Sequence, residues 1–107
     1  MTTPQQPDLT SALDRMWLQF RPQMDERLSA LEAASAALAA NTLSPSQSSA
    51  AASAAHKLAG VLGTFRLARG TDLARQLEQH YSAPPDSASA PQLESLTAEL
   101  RSLIVNR

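Results

Sequence analysis

An all-α, antiparallel four-helix bundle with an additional short N-terminal helix is the fold the sequence predicts. Three observations lead to it. Apolar residues recur at spacings of three and four along most of the chain, and no run alternates with the period of two that a strand requires. Hydrophobic residues make up 43% of the 107 residues, yet alanine supplies a large share of them and aromatics only 4%. Small side chains with few aromatics suit closely packed helices better than a sheet. The helical segments are separated by short stretches rich in Pro, Ser and Asn, which favour antiparallel neighbours.

Residues 1–7 are polar and proline-containing and read as a flexible lead, leaving residues 8–107 as a single helical domain. Asp8 is a suitable N-cap. Leu9, Leu13, Met16, Trp17 and Phe20 then recur at helical spacing, until Pro22, which lacks an amide donor and crowds the preceding turn. A break is expected there. The pattern resumes with Met24, Leu28, Leu31 and Leu38, predicting a longer second helix over about 23–40 and a turn over Asn41–Ser44. Ser44-Pro45-Ser46-Gln47 has the form of a capping box with proline at the first helical position, so a third helix is expected from 45 to about 65. A fourth follows over about 67–82, with Leu67, Leu73, Ala74, Leu77 and Tyr81 inward. SAPPDSASA, residues 82–90, is a loop. Leu93, Leu96, Leu100 and Leu103 give a last helix over about 91–105 the spacing of a bundle seam.

Composition excludes several function classes. The formal charge is −1, from 9 basic and 10 acidic residues with no basic stripe, which disfavours nucleic acid as a partner. Without cysteine there is neither a disulfide framework nor a thiolate metal site. No apolar run approaches the roughly 20 residues needed to span a bilayer, and MTTPQQPDLT lacks the regions of a signal peptide. The expectation is a cytoplasmic monomer with no membrane partner.

One stretch stands apart. AAHKLAGVLGTF, residues 54–65, places one histidine and two glycines in an alanine-rich helix, although glycine costs about 1 kcal/mol relative to alanine there. On a wheel of about 100° per residue, Ala51, Ala54, Leu58, Val61, Leu62 and Phe65 form the core face, opposite His56. Within about 60° of His56 lie Ser49, Ala52, Ser53, Ala59, Gly60 and Gly63, all of them small. Lys57 and Thr64 flank this patch on one edge and Arg66 on the other. The glycines either clear the surface beside an imidazole that something must approach, or permit close contact between helices of the bundle, or begin the end of the helix. Histidine suits a reactive site because its pKa lies near physiological pH and its neutral nitrogen is a good nucleophile.

Ala55, His56, Leu58, Ala59, Gly60 and Gly63, followed by Thr64-Phe65, resemble the signature of histidine-containing phosphotransfer (HPt) domains, approximately A-H-x-L-K/A-G-x-x-G-x-x-G. Leu73-Ala74-Arg75-Gln76-Leu77-Glu78 resembles the helix that pairs with the histidine helix in that family. Two positions depart from the pattern: Ala59 stands where a lysine is common, and Arg66 where a glycine is common. The resemblance implies a phosphorelay intermediate. Its histidine accepts a phosphoryl group from a receiver-domain aspartate or a sensor kinase and passes it to a response regulator. It also implies a carrier without kinase activity of its own. In agreement, the sequence has no G-x-x-x-x-G-K-[S/T] loop. No cofactor is expected in this chain; magnesium is expected in the partner receiver domain.

On this reading His56 is the phosphoryl acceptor through Nε2. Glu78, where the family commonly has glutamate or glutamine, would accept from Nδ1–H and orient the imidazole, with Gln79 a weaker substitute. Lys57 either offsets phosphoryl charge with its flexible amine or is an ordinary surface lysine. Arg75, one turn before Glu78, is a candidate phosphate contact. Ser49, Ala52, Ser53, Ala59, Gly60, Gly63 and Thr64 form the expected docking surface. His80, near a helix C-terminus, reads as structural. Two histidines without metal-ligand spacing do not make a zinc site. Ser53 beside His56 lacks an oxyanion-hole element, so hydrolase chemistry is not expected. Met16, Trp17 and Phe20 are either core or a ligand box. Two other readings remain at this stage: a helical adaptor that binds a receiver or kinase without transferring phosphate, and a purely structural bundle.

Overall fold

The computed structural model describes residues 9–107, so the expected lead over 1–7 and the N-cap at Asp8 lie outside the described residues. Four α-helices follow one another: α1 Leu9–Ala39, α2 Pro45–Thr64, α3 Ala68–Ser82 and α4 Ala90–Val105, with a 3-10 turn at Ser87–Ser89 before the last. Among the described residues there is no strand. α2 packs between α1 and α3, and α4 closes the ring by packing on the same two helices. This is the up-down-up-down bundle that short connections favour.

The separate short N-terminal helix is not present as its own element. α1 runs for 31 residues straight through Pro22. Proline removes one amide donor, but here the orphaned carbonyl belongs to Leu18, a residue that is 71% exposed, so water can satisfy it. On the opposite face Trp17 on one side of Pro22 and Met24 and Leu28 on the other are all buried in the same core. Arg21 and Asp25 bridge the proline with an ion pair of 3.0 Å. Continuous burial outweighs the local penalty.

The capping box starts α2. The Ser44 hydroxyl accepts from the Gln47 amide and the Gln47 side chain accepts from the Ser44 amide, both at 3.0 Å. Both α1 and α2 end in Schellman motifs. In α1, the Thr42 amide donates to the Ala37 carbonyl and the Asn41 amide to Leu38, with Asn41 at φ 59°. In α2, the Leu67 amide donates to Leu62 and the Arg66 amide to Gly63, with Arg66 at φ 58°. Asparagine tolerates this left-handed conformation; arginine at the same position costs roughly 1–2 kcal/mol.

Leu28, Leu31, Leu58, Leu62, Leu73, Leu77, Leu93, Leu100 and Ile104 are fully buried, each contributing about 1.5–3 kcal/mol by leaving water. The α4 seam differs from the expected one: Leu93, Thr97, Leu100 and Ile104 face inward, and Leu96 and Leu103 are half-buried at its edge. Thr97 is tolerated because its hydroxyl donates to the Leu93 carbonyl at 2.7 Å. A second buried hydroxyl, Ser48, donates to the Tyr81 carbonyl at 2.8 Å and ties the start of α2 to the end of α3. At the other end of the bundle, Phe65 meets Trp17 and Phe20 edge-on, and the Arg107 guanidinium lies over the Trp17 ring at 4.8 Å. Trp17 is therefore core, with Phe20 half-buried against it, and Met16 is exposed.

Candidate functional site

α2 and α3 pack side by side in opposite directions, which brings residues of the middle of α2 against the second half of α3. His56 projects from the exposed face of α2, and Glu78 reaches it from α3. His56 Nδ1 lies 2.9 Å from Glu78 Oε2. An ionised carboxylate can only accept, so the proton of a neutral His56 sits on Nδ1 and the Nε2 lone pair is left free. The imidazole remains open: the side chains of His56 and Glu78 are 73% and 33% exposed.

The two residues share a shallow cleft of about 310 Å³ with Ala59, Gly60, Arg75 and Gln79. Gly60 keeps it open. A Cβ built on this residue meets nothing within 4 Å, so Gly60 is not required by packing inside the bundle. At Gly63 a Cβ would make an ordinary 3.9 Å contact with Thr71 Oγ1.

The structure divides the residues singled out from the sequence. His56, Glu78, Arg75, Gln79, Ala59 and Gly60 come together in the cleft. Lys57 does not. It faces the α1 side and lines a separate groove with Glu26, Arg27, Ala30 and Ser53. Of the expected docking surface, Ser49, Ser53, Gly60, Gly63 and Thr64 are exposed and Ala52 is half-buried. Thr64 turns its hydroxyl back to donate to the Gly60 carbonyl at 3.2 Å. Ala59 requires a correction: it is 7% exposed and belongs to the core cluster. A wheel with a single inward direction misplaces it. α2 is flanked by both α1 and α3, so its buried arc is wider than one inward direction implies, and Ala59 lies at the edge of that arc, beside the α3 residues of the cleft. His80 is half-buried in the last turn of α3.

A second, larger concavity of about 670 Å³ adjoins the cleft at the α2–α3 turn. It is lined by Gly63, Arg66, Ala68, Arg69, Thr71, Asp72 and Arg75. Arg75 is common to both hollows. Arg69 is engaged by Glu99 of α4 through two bonds of 2.7 and 3.0 Å. That hydrogen bonding, with the attraction of opposite charge, holds the Arg69 guanidinium above its ordinary range and Glu99 below. Among the described residues Arg66 and Arg75 have no such carboxylate partner. Sequence reasoning singled out Arg66 and Arg75 one at a time. It did not find this concavity, because its shape depends on the left-handed turn at Arg66.

The described residues include no three His, Asp or Glu side chains grouped to hold a metal ion, and no helix long and apolar enough to cross a membrane. Comparison with known proteins gives two matches. A family model described as "Hpt domain" matches residues 15–105. Protein RcaC of Microchaete diplosiphon is 39% identical over 66 residues, a stretch covering 62% of this chain and 10% of RcaC. The chain thus corresponds to a small part of that relative's length. No solved structure gives a significant match.

Proposed function

The chain belongs to the Hpt domain family, and from that premise we propose that it is a phosphotransfer module of two-component signalling, with His56 as the carrier. It relays a phosphoryl group between a receiver-domain aspartate, or a sensor kinase, and a response regulator. The observation that carries this reading is the 2.9 Å contact from His56 Nδ1 to Glu78 Oε2, made on an exposed helix face beside a glycine whose Cβ position is open.

The chemistry follows from the tautomer. The Nε2 lone pair attacks phosphorus, the bond from phosphorus to the aspartyl oxygen breaks, and the aspartate carboxylate leaves with the electron pair. No proton has to depart for the attack, because Nδ1–H is retained. The ring gains positive charge as the N–P bond forms, and Glu78 stabilises that charge through a hydrogen bond already in place. Reversal of the same steps delivers the group to the next aspartate. Arg75, lining the same cleft, is suited to contact phosphoryl oxygens. Lys57, on the α1 side, is left as a weaker candidate for that role. No cofactor is assigned to this chain; magnesium belongs to the partner receiver domain. The domain acts as a soluble monomer in the cytoplasm.

The test is incubation with phosphorylated receiver domains, followed by analysis of the bond formed. Label that is acid-labile, base-stable and confined to His56 is the expected result. Absence of label, or label that is undiminished in His56→Gln, overturns the assignment.

A further inference from the structure

We infer that the concavity at the α2–α3 turn is a docking subsite for a carboxylate-bearing segment of the protein with which His56 exchanges its phosphoryl group, and that Arg66 is its specificity-determining residue. The inference rests on the phosphotransfer reading for the identity of the partner, and on separate residues for the site.

Three observations converge. The first is Arg66 itself. It occupies the C′ position of a Schellman motif at φ 58°, where glycine is free of strain and asparagine, as at Asn41, is tolerated. A strained arginine held at a turn points to a use for the side chain outside local structure. The second is charge. Arg66 and Arg75 line the concavity with no carboxylate partner among the described residues, while Arg69 beside them is held by Glu99. Two uncompensated guanidinium groups on one concave wall favour an anionic occupant.

The third is position. Gly63 lies seven residues beyond His56 on α2, about 10 Å along the helix axis. A protein interface of ordinary size covers about 800 Å² per partner, a disc of roughly 16 Å radius. An interface of that size centred on Nε2 reaches the concavity, and Arg75 joins the two hollows.

The occupant is a protein segment rather than a small polyanion. The hollow is wide at about 670 Å³, and Asp72 sits in its wall. Arg69 is already bridged to Glu99 and lies 3.8 Å from Asp72. With Arg69 engaged by Glu99 and the Asp72 carboxylate in the wall, a compact polyanion such as a nucleotide or free phosphate would meet repulsion as well as attraction. A row of carboxylates spread along a segment can meet Arg66 and Arg75 separately while avoiding Asp72.

The experiment uses a decaglutamate peptide as the probe and the isotopically labelled domain as the target. At low ionic strength the peptide should give saturable amide shifts centred on residues 63–75, which shrink at high salt. Arg66→Glu should weaken the affinity by about tenfold or more. Arg66→Gly should also weaken binding, while melting at or above the parent temperature because the left-handed turn is relieved. Shifts centred on Lys57, no saturable shifts, or equal affinity in Arg66→Glu overturn the proposal. Labelling of His56 by phosphoramidate, a small phosphoryl donor that needs no docking, reads the carrier chemistry separately. Parent and Arg66→Glu should label at the same rate. If neither labels, the phosphotransfer reading fails and the peptide result alone decides the subsite. If only Arg66→Glu loses labelling, Arg66 acts on His56 directly and the docking role is overturned.

Discussion

His56 Nδ1 and Glu78 Oε2 are 2.9 Å apart, joining helices α2 and α3 across 22 residues of sequence at a surface where neither side chain is buried. An exposed pair of this kind adds little to stability, about 0–1 kcal/mol. Its consequence lies in the imidazole, which is held with one nitrogen occupied and the other free. Glu78→Ala should therefore slow phosphoryl acceptance by about tenfold, the equivalent of a net hydrogen bond to a charged group of roughly 1.5 kcal/mol. Glu78→Gln, whose amide oxygen can still accept from Nδ1–H, should retain most of the rate. Transfer kinetics of the two variants check this. Equal loss in both would assign the effect to charge alone, and no loss in either would remove the orienting role.

His56→Gln tests the carrier. With 73% of the His56 side chain exposed, the substitution should change stability by less than about 0.5 kcal/mol. Phosphoryl acceptance should disappear entirely, since glutamine offers an acceptor and a donor but no nucleophilic lone pair of comparable basicity. Thermal melts and label retention on the same preparation separate loss of chemistry from loss of fold.

How much of this structure is legible in the sequence depends on the range of the interaction involved. The start of α2 was readable because the Ser44–Gln47 capping box is local, a matter of four consecutive residues. The pairing of His56 with Glu78 is legible only through the family resemblance, which implies a glutamate or glutamine at that position, and the structure places the two side chains in contact. Pro22 misled because its penalty is local whereas the burial that overrides it, from Trp17 to Leu28, is tertiary. Ala59 misled because a helical wheel has no information on how many neighbours flank a helix. Thr97 was missed because its hydroxyl is satisfied within its own turn, so a polar residue occupies a core position without penalty. The concavity at Arg66 was beyond reach because glycine, the residue that usually marks a left-handed turn, is absent there.

Tyr81 gives a pH prediction. Its side chain is buried and its hydroxyl has no hydrogen-bond partner among the described residues. Burial pushes the phenol up to about 12, with a further contribution from the negative charge of Glu94. The folded value exceeds the ordinary value of 10, so the unfolded chain loses its proton first as pH rises. The contribution of this group to stability is thus intact below pH 10 and is lost between about 10 and 12. Tyr81 is the chain's one tyrosine, so absorbance of the phenolate reads it without interference. Tyr81→Phe should abolish that alkaline loss. At neutral pH it should also raise stability by about 1 kcal/mol, because an unpaired buried hydroxyl is removed. A spectrophotometric midpoint near 10 in the folded protein would contradict the burial argument.

Gly60 separates packing from access. A Cβ there meets nothing within 4 Å, so Gly60→Ala should stabilise the domain by up to about 1 kcal/mol on helix propensity alone. Gly60→Gln should also fold, since its longer side chain extends from the same open position. Yet that side chain would stand in the cleft beside His56 and Arg75, so transfer from a protein donor should fall while labelling by phosphoramidate is largely kept. Gly70 is the internal contrast. A Cβ there would come within 3.2 Å of Leu62 Cδ1, so Gly70→Leu should overpack the core and lower stability by about 1–3 kcal/mol. Melting and transfer measured on all three variants distinguish the two glycines. If Gly60→Gln melts as low as Gly70→Leu, Gly60 serves the core and not the approach of a partner. If it melts normally and transfers at the full rate from a protein donor, the open face beside His56 is not where the partner sits.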